Sequence, residues 1–208
     1  MVTGVVRRQR VGRSGAPRAG GLARAPCREA IFPDVIIFEA LHPDTPVPHR
    51  ATSASAGYDL SAYLRGRTAR VFRDGVMSER AAVARGDTFV LELAPGEKAL
   101  VPLGFKMQLP PGIEAQVRPR SGTSVKTDLV IANAPGTIDP DYADEWCVPV
   151  KNGGARPLEI AHGERIAQAI FARFEAQEFS AGVVQRTSER NGGFGSTGTG
   201  SASAHRPS

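Results

Sequence analysis

From residue 31 onward, short apolar runs recur about every 8–12 residues, separated by Pro, Gly, Asp and Asn. Three of the separators, APGE (94–97), LPPG (109–112) and KNGG (151–154), have turn chemistry, because Pro presets φ and Gly adopts positive φ at little cost. This spacing predicts an all-β sandwich or barrel. The strands that we expect span residues 35–39, 58–63, 88–93, 99–103, 105–109, 114–118, 128–132, 146–151, 157–161 and 165–174.

Two segments fit this pattern less well. Residues 163–174 are rich in helix formers, yet a period of two places Ile166 and Gln168 on one face and Ala167 and Ala169 on the other, as in a strand buried on both faces. Periodicity leaves both interpretations open. Residues 64–87 are charged and weakly patterned, and we interpret them as a surface insertion with a short helix near 78–85.

The positive charge of the chain is concentrated in its first residues. The 208 residues have a net charge of +5, but residues 1–30 contain seven arginines and one acidic residue, so the remainder is close to neutral. We expect a disordered basic arm over 1–30 that is not a secretory signal. A mitochondrial transit peptide, an upstream-extended start and a weak polyanion-binding tail share this composition. We expect a cytoplasmic protein, with mitochondrial targeting as the alternative. We expect no nucleic-acid partner for the folded part of the chain.

Composition excludes several other classes. No apolar run approaches the roughly 20 residues that span a bilayer, which argues against a membrane protein. Two cysteines give no disulfide framework, and four scattered histidines give neither zinc-ligand spacing nor a Ser-His-Asp arrangement. Carboxylates, arginines and backbone amides therefore remain as the candidates for any chemistry.

Three stretches could carry that chemistry. PRSGTS (119–124) is either an ordinary turn or a nest of backbone amides for an anion. NAPGTIDPDY (133–142) has the turn residues of a hairpin with a closely defined tip, where Asp139 could act as a base toward water. RNGGFGSTGTG (190–200) lacks the lysine of a Walker A loop, and is either a disordered tail or a lid that stacks Phe194 on a base and holds phosphates with Arg190, Ser196 and Thr197.

Taken together and in order, these stretches resemble the motifs of the trimeric dUTPase (deoxyuridine 5′-triphosphate nucleotidohydrolase) family. The five motifs are AGYDLSA (56–62), RPRSGTS (118–124), NAPGTIDPDYADEW (133–146), GERIAQAIF (163–171) and RNGGFGSTG (190–198). The likeness covers about residues 35–198. Three features differ from the family pattern. Asp144 stands where glycine is usual, only one residue separates Arg190 from Gly192 where many relatives have two, and the 64–87 segment is longer than usual.

The resemblance implies a jelly-roll subunit over 31–180, a flexible lid and tail over 181–208, and a homotrimer with active sites shared between subunits. It implies that dUTP is hydrolysed to dUMP and diphosphate with Mg²⁺, which lowers dUTP and supplies dUMP for dTMP synthesis. Asp139 would activate the water that attacks the α-phosphorus, and Asp59 would contact the metal through water.

The same resemblance implies the substrate-binding residues. Tyr142 would pack under the deoxyribose, while Asn133 and the backbone around Thr137 and Ile138 would read uracil. The remaining implied contacts are Arg120, Ser121, Gly122 and Gln168 near the phosphates, Cys147 beside the loop, and the lid residues Arg190, Phe194, Gly195, Ser196 and Thr197. Two alternatives stay open: a dCTP deaminase or bifunctional relative, and a non-catalytic nucleotide-binding regulator on the same scaffold.

Overall fold

The computed structural model describes residues 35–187, which form fifteen β-strands and one short helix, α1 (Ser121–Lys126). Every strand pairing is antiparallel. The strands are β1 (Ile37–Ala40), β2 (His49–Arg50), β3 (Tyr58–Ser61), β4 (Thr68–Arg73), β5 (Val76–Ala81), β6 (Val83–Arg85), β7 (Thr88–Leu93), β8 (Lys98–Pro102), β9 (Phe105–Gln108), β10 (Ile113–Arg118), β11 (Leu129–Ile131), β12 (Gly136–Ile138), β13 (Cys147–Asn152), β14 (Leu158–Ala161) and β15 (Arg165–Arg173).

Two five-stranded sheets dominate the jelly-roll architecture. One has the order β12-β10-β15-β3-β2 and the other the order β11-β13-β8-β4-β5, while β1-β9 and β14-β7-β6 form smaller sheets. Both large sheets contribute to a single apolar core, with Leu60 and Ile166 from the first and Val101 and Val148 from the second all fully buried. The all-β prediction is confirmed, and all ten expected strands are present.

Residues 165–173 form a strand, which resolves the ambiguity left by the sequence. β15 lies between β10 and β3, so hydrogen bonds on both edges and apolar contacts on both faces hold it extended. Ile166, Ala167 and Ala169 are fully buried. Tertiary pairing here overrides the helix propensity of the segment.

The helix expected near residues 78–85 is wrong. The segment forms the hairpin β4–β5 followed by β6, and the turn between β4 and β5 contains Asp74 and Gly75, both with positive φ. An Asp-Gly pair is the usual signal of a two-residue hairpin, so this turn was legible in the sequence. The segment is not wholly superficial, because β4 pairs with β8 and contributes Ala69 and Val71 to the core.

Residues 133–142 do not form the simple hairpin that their turn residues suggested. β12 pairs with β10, whereas β11 and β13, which precede and follow it, pair with each other. We call the connection between β11 and β13, residues 132–146, the Asp139 loop. Its strand β12 ties the loop to the edge of the first sheet and leaves residues 139–146 without strand pairing.

Candidate active site

A buried carboxylate organises one end of β10. Asp59 on β3 has a side chain only 9% exposed and accepts hydrogen bonds from Arg120 Nε (2.7 Å), Arg120 Nη2 (3.4 Å) and Arg165 Nη1 (3.0 Å). A carboxylate withdrawn from water needs such partners, since leaving it unpaired would cost several kcal/mol. The pair also fixes the Arg120 guanidinium at the point where the chain leaves β10.

Gln168 extends this cluster across the sheet. It lies opposite Asp59 on one side and Arg118 on the other, and its Nε2 donates to the Pro119 carbonyl at 2.8 Å. Gly57 leaves room for it, because a Cβ at that position would lie 2.0 Å from Gln168 Oε1. The network therefore immobilises the backbone directly before Arg120.

Ser121 and Gly122 begin helix α1, where the sequence suggested a kinked turn. The first intrahelical bond runs from the Ser124 amide to the Arg120 carbonyl at 2.9 Å, so the amides of residues 121–123 precede the first turn's hydrogen bonds. Ser121 and Gly122 are both exposed. Free amides and an adjacent guanidinium are suitable groups for an anion.

The Asp139 loop runs along the edge of β10 toward its opposite end, with Gly136 opposite Val117 and Ile138 opposite Ala115. Asn133, Thr137 and Asp139 are exposed, whereas Ile138 packs partly against the core. A Cβ on Gly136 would lie 2.8 Å from Asn133 Nδ2, so the glycine lets the Asn133 amide lie close to the loop backbone. No hydrogen bond from a residue within 35–187 to the Asp139 carboxylate is seen, and the carboxylate is open to solvent.

Tyr142 and Cys147 follow Asp139 along the loop. The Tyr142 ring is 39% exposed, and its hydroxyl donates to the Glu145 carbonyl at 3.3 Å. Desolvation, followed by the charge of Cys147, raises the pKa of the Tyr142 hydroxyl. Burial, followed by the charge of Glu145, raises the pKa of the Cys147 thiol to about 11, so this thiol is protonated at neutral pH and is a poor nucleophile.

Asp139 and Arg120 lie far apart within one chain. Ile138, which precedes Asp139, pairs with Ala115 near the start of β10, whereas Arg120 lies two residues beyond the end of β10. The five residues from Ala115 to Arg120 span at most roughly 17 Å at about 3.3 Å per residue. The Arg120 guanidinium is also bound to Asp59 on β3, and β10 and β15 separate β3 from β12, so in a single chain this guanidinium is held away from the strand that carries Asp139.

Comparison with known proteins identifies the family. A family model for dUTPase matches residues 88–198, which is more than half of the chain. The chain belongs to the dUTPase family. A deoxyuridine 5′-triphosphate nucleotidohydrolase from Methylocella silvestris is 42% identical over 156 residues, covering 74% of this chain and 84% of that relative.

Solved dUTPase structures share the fold. The dUTPase of Staphylococcus bacteriophage 80alpha, solved with dUPNHPP, has a TM-score of 0.62 at 23% identity and covers 80% of this chain and 99% of its own. A mutant dUTPase from phage phi11 of S. aureus, described as revealing the coordination of a structural Mg(II) ion, has a TM-score of 0.56 at 20% identity and covers 74% and 99%.

The structure thus divides the predicted dUTPase site residues into groups. Asp59, Arg120, Ser121, Gly122 and Gln168 lie at one end of β10. Ile138 and Asp139 lie toward the other end, followed along the chain by Tyr142 and Cys147. Thr137 lies opposite Gln116 in the middle of β10, and Asn133 packs on Gly136, which lies opposite Val117 near the Arg120 end. The lid residues Arg190, Phe194, Gly195, Ser196 and Thr197 lie outside the described residues. The part of the chain that the structure describes holds no helix of the length and apolarity needed to cross a bilayer.

Sequence reasoning missed two charged residues of this region. Arg165 shares Asp59 with Arg120, although it is 106 positions away along the chain. Glu145 is bound by Arg67, which is 78 positions away. Arg165 and Glu145 lie inside two of the quoted motifs, but their pairing follows from the strand order and has no signature in residue spacing.

Proposed function

We propose that this dUTPase hydrolyses dUTP to dUMP and diphosphate, which lowers dUTP and supplies dUMP for dTMP synthesis. The observation that carries the proposal is the exposed Asp139 carboxylate directly after β12, in a chain that belongs to the dUTPase family. The reaction adds one water to dUTP, and the bond that breaks joins the α-phosphorus to the bridging oxygen of the diphosphate.

Asp139 acts as the general base. Its carboxylate accepts a proton from the attacking water while the water oxygen bonds to the α-phosphorus. A base in this role needs a lone pair that can reach the attacking water, and the exposed Asp139 carboxylate, which lies next to no described cation, has one available.

The other loop residues select the nucleoside. The Tyr142 ring lies under the deoxyribose and leaves no space for a 2′-hydroxyl. Asn133 and the backbone at Thr137 and Ile138 hydrogen-bond the uracil edge in a pocket too narrow for the methyl group of thymine. The pairing of β12 with β10 supports this assignment, because a backbone held in a sheet offers its polar groups in fixed positions.

The Arg120 end of β10 holds the phosphates. Arg120, Ser121 and Gly122 supply a guanidinium, a hydroxyl and backbone amides, which suit a phosphate chain. Gln168 supports them through the Pro119 carbonyl. Arg190, Phe194, Gly195, Ser196 and Thr197 close over the bound nucleotide from another subunit, with Phe194 stacked on the base.

Mg²⁺ accompanies the triphosphate. A carboxylate has about four lone-pair directions, and Asp59 uses three on arginine hydrogen bonds. One direction remains for a metal-bound water. No cluster of three or more His, Cys, Asp or Glu that could hold a metal occurs within residues 35–187, which fits an ion held mainly by phosphates and water. When bound, Mg²⁺ neutralises phosphate charge.

The active site is shared in a homotrimer. The separation of Asp139 from Arg120 in one chain supports this arrangement, because a second chain can bring its own Arg120 to the Asp139 loop. The segment after β15 supports such an exchange, because Phe179, Val183 and Val184 are almost fully exposed in the single chain. Apolar side chains extended away from their own core are suited to contact a neighbouring subunit.

One assay tests the proposed function. The purified protein is given dUTP, dTTP, dCTP or UTP, with and without Mg²⁺, and diphosphate and ammonia are both measured. We expect diphosphate release from dUTP alone. Ammonia release from dCTP would indicate a deaminase, and tight dUPNHPP binding without turnover would indicate a non-catalytic regulator. Deleting residues 190–208 should strongly reduce turnover and leave the oligomer intact.

A further inference from the structure

We propose that Arg67, in the long segment between motifs that the family resemblance leaves without a role, is a positioning residue for sugar selection. It acts through Glu145, which holds the end of the Asp139 loop that carries Tyr142. The inference rests on the proposed function, since it takes Tyr142 as the residue under the deoxyribose.

The loop around Tyr142 has few internal constraints. Residues 139–146 lie between β12 and β13 without strand pairing. The Tyr142 amide donates to the Asp139 carbonyl at 3.2 Å, and its hydroxyl donates to the Glu145 carbonyl at 3.3 Å. Beyond Glu145, the Trp146 amide donates to the Phe105 carbonyl and the Trp146 carbonyl accepts from the Leu103 amide, both at 3.0 Å. Between these two anchors and Asp139, the ring is positioned through Glu145.

Glu145 is held through both carboxylate oxygens. Arg67 Nη2 donates to Oε2 at 2.6 Å, and the Gly104 amide donates to Oε1 at 2.9 Å. The two charged side chains are only 24% and 20% exposed. An ion pair at this depth is less screened than one at the surface, and removing one partner would leave a partly buried charge.

Arg67 is itself fixed by the body of the protein. Its Nη1 donates to His42 Nε2 at 2.8 Å, and the His42 ring stacks on Tyr63 with centroids 4.4 Å apart. Because a guanidinium has no acceptor, this contact sets the His42 tautomer. The backbone carbonyl of Arg67 also accepts from the Ala82 amide at 2.9 Å, between β5 and β6.

Gly104 provides an equally rigid support. Its carbonyl accepts from Thr45 Oγ1 at 3.0 Å and from the Leu41 amide at 2.9 Å. Its φ is +76°, and a Cβ there would lie 2.7 Å from Tyr63 Cγ, so the position requires glycine. Glu145 thus joins the part of the loop without strand pairing to Arg67 and Gly104 in the body of the protein.

The test compares Arg67→Ala with Arg80→Ala. Arg80 is a matched control, because it belongs to the same inserted segment and forms a part-buried ion pair with Glu97 that lies away from the loop. For Arg67→Ala we expect the KM for dUTP to rise about 10-fold, kcat to change less than about threefold, and the preference for dUTP over UTP to fall about fivefold. Arg67→Lys should restore part of the preference.

Two further variants show whether the effect passes through Glu145. Glu145→Gln keeps the side-chain shape and removes the charge, so it should reproduce the Arg67→Ala changes and add little to them in the double variant. Tyr142→Phe removes the hydroxyl that reaches Glu145 and should likewise reduce the effect of Arg67→Ala. Equal KM and equal sugar preference in wild type, Arg67→Ala and Glu145→Gln would overturn the inference.

A second readout separates this inference from the proposed function. Trp146 is the only tryptophan of the chain, follows Glu145 and is 1% exposed. Release of Glu145 should increase acrylamide quenching of Trp146 fluorescence at least about twofold in Arg67→Ala and leave it unchanged in Arg80→Ala. A wild-type protein that does not hydrolyse dUTP would refute the proposed function and, with it, the role of Arg67 in sugar selection. Unchanged quenching in Arg67→Ala would refute the positioning of the loop by Arg67 through Glu145.

Discussion

The two ends of β10 differ in how completely one chain builds them. At the Arg120 end, hydrogen bonds already join the buried Asp59 carboxylate to two guanidiniums. The Gln168 amide is bonded to the Pro119 carbonyl beside them. At the Asp139 end, the Asp139 carboxylate is exposed. The side-chain contacts that hold the loop are those of Glu145, six residues further along the chain.

This difference separates stability from chemistry. The Arg120 end contributes to the folded state of each subunit, because its charges satisfy one another. The Asp139 end keeps its reactive group unpaired, and this group contributes little to folding but is available to water and nucleotide. Substitutions at the Asp139 end should therefore reduce turnover alone, whereas those at the Arg120 end should reduce both stability and turnover.

Asp139→Asn should have the largest effect. We expect turnover of dUTP to fall at least about 1,000-fold, because the amide cannot accept the proton of the attacking water. Binding of dUPNHPP and the urea midpoint should stay close to wild type, since the carboxylate has no described partner to lose. Turnover within tenfold of wild type would show that another group is the base.

Asp59→Asn should reduce stability as well as turnover. It leaves the Arg120 and Arg165 guanidiniums without their shared anion, so we expect a loss of about 2–3 kcal/mol in the free energy of unfolding, reduced from a fully buried pair because Arg165 is half exposed. Turnover should fall about 10- to 100-fold as Arg120 loses its orientation. A wild-type urea midpoint would contradict the distinction between the two ends.

Chelation of Mg²⁺ should reduce turnover without weakening the fold. We expect kcat/KM for dUTP to fall about 10-fold or more in excess chelator, because phosphate charge is then no longer neutralised. The melting temperature without nucleotide should not change, since we propose that the ion arrives with the substrate. A chelator-dependent drop in melting temperature would indicate a structural metal in the free protein.

The smallest effect is expected at Cys147. Its thiol pKa is raised to about 11, mainly by burial, so the thiolate fraction at pH 8 is about 100-fold lower than for a thiol of pKa 9. In a Cys27→Ser background, alkylation should be slow at pH 8 and accelerate until about pH 11. Cys147→Ala should change turnover less than about threefold. Fast alkylation at pH 8 would show that opening of the loop exposes the Cys147 thiol to solvent.

The sequence predicted the local features of this molecule better than the distant ones. Strands such as β7 and β8 were legible because the turns around them have their own residue chemistry. The local sequence could not determine whether residues 165–174 form a helix or a strand. The strands that hold this segment extended, β10 and β3, lie far away along the chain. The helix predicted near 78–85 ignored the turn signal of Asp74 and Gly75.

The site shows the same limit. Asp59 and Arg120 could be named from motif resemblance, but their direct pairing, together with Arg165, arises from the order of β3, β15 and β10. The Arg67–Glu145 contact belongs to no motif pair. Long-range charge pairs depend on topology, so residue spacing alone does not reveal them.

The most direct test of the shared site mixes two inactive proteins. Asp139→Asn and Arg120→Ala chains are unfolded together, refolded at equal concentrations and assayed for dUTP hydrolysis, with each variant refolded alone as the control. If Asp139 and Arg120 of one site come from different chains, random assembly gives both intact residues to about one quarter of all sites, and turnover returns to that level. Mixed trimers that form but stay inactive would contradict the account.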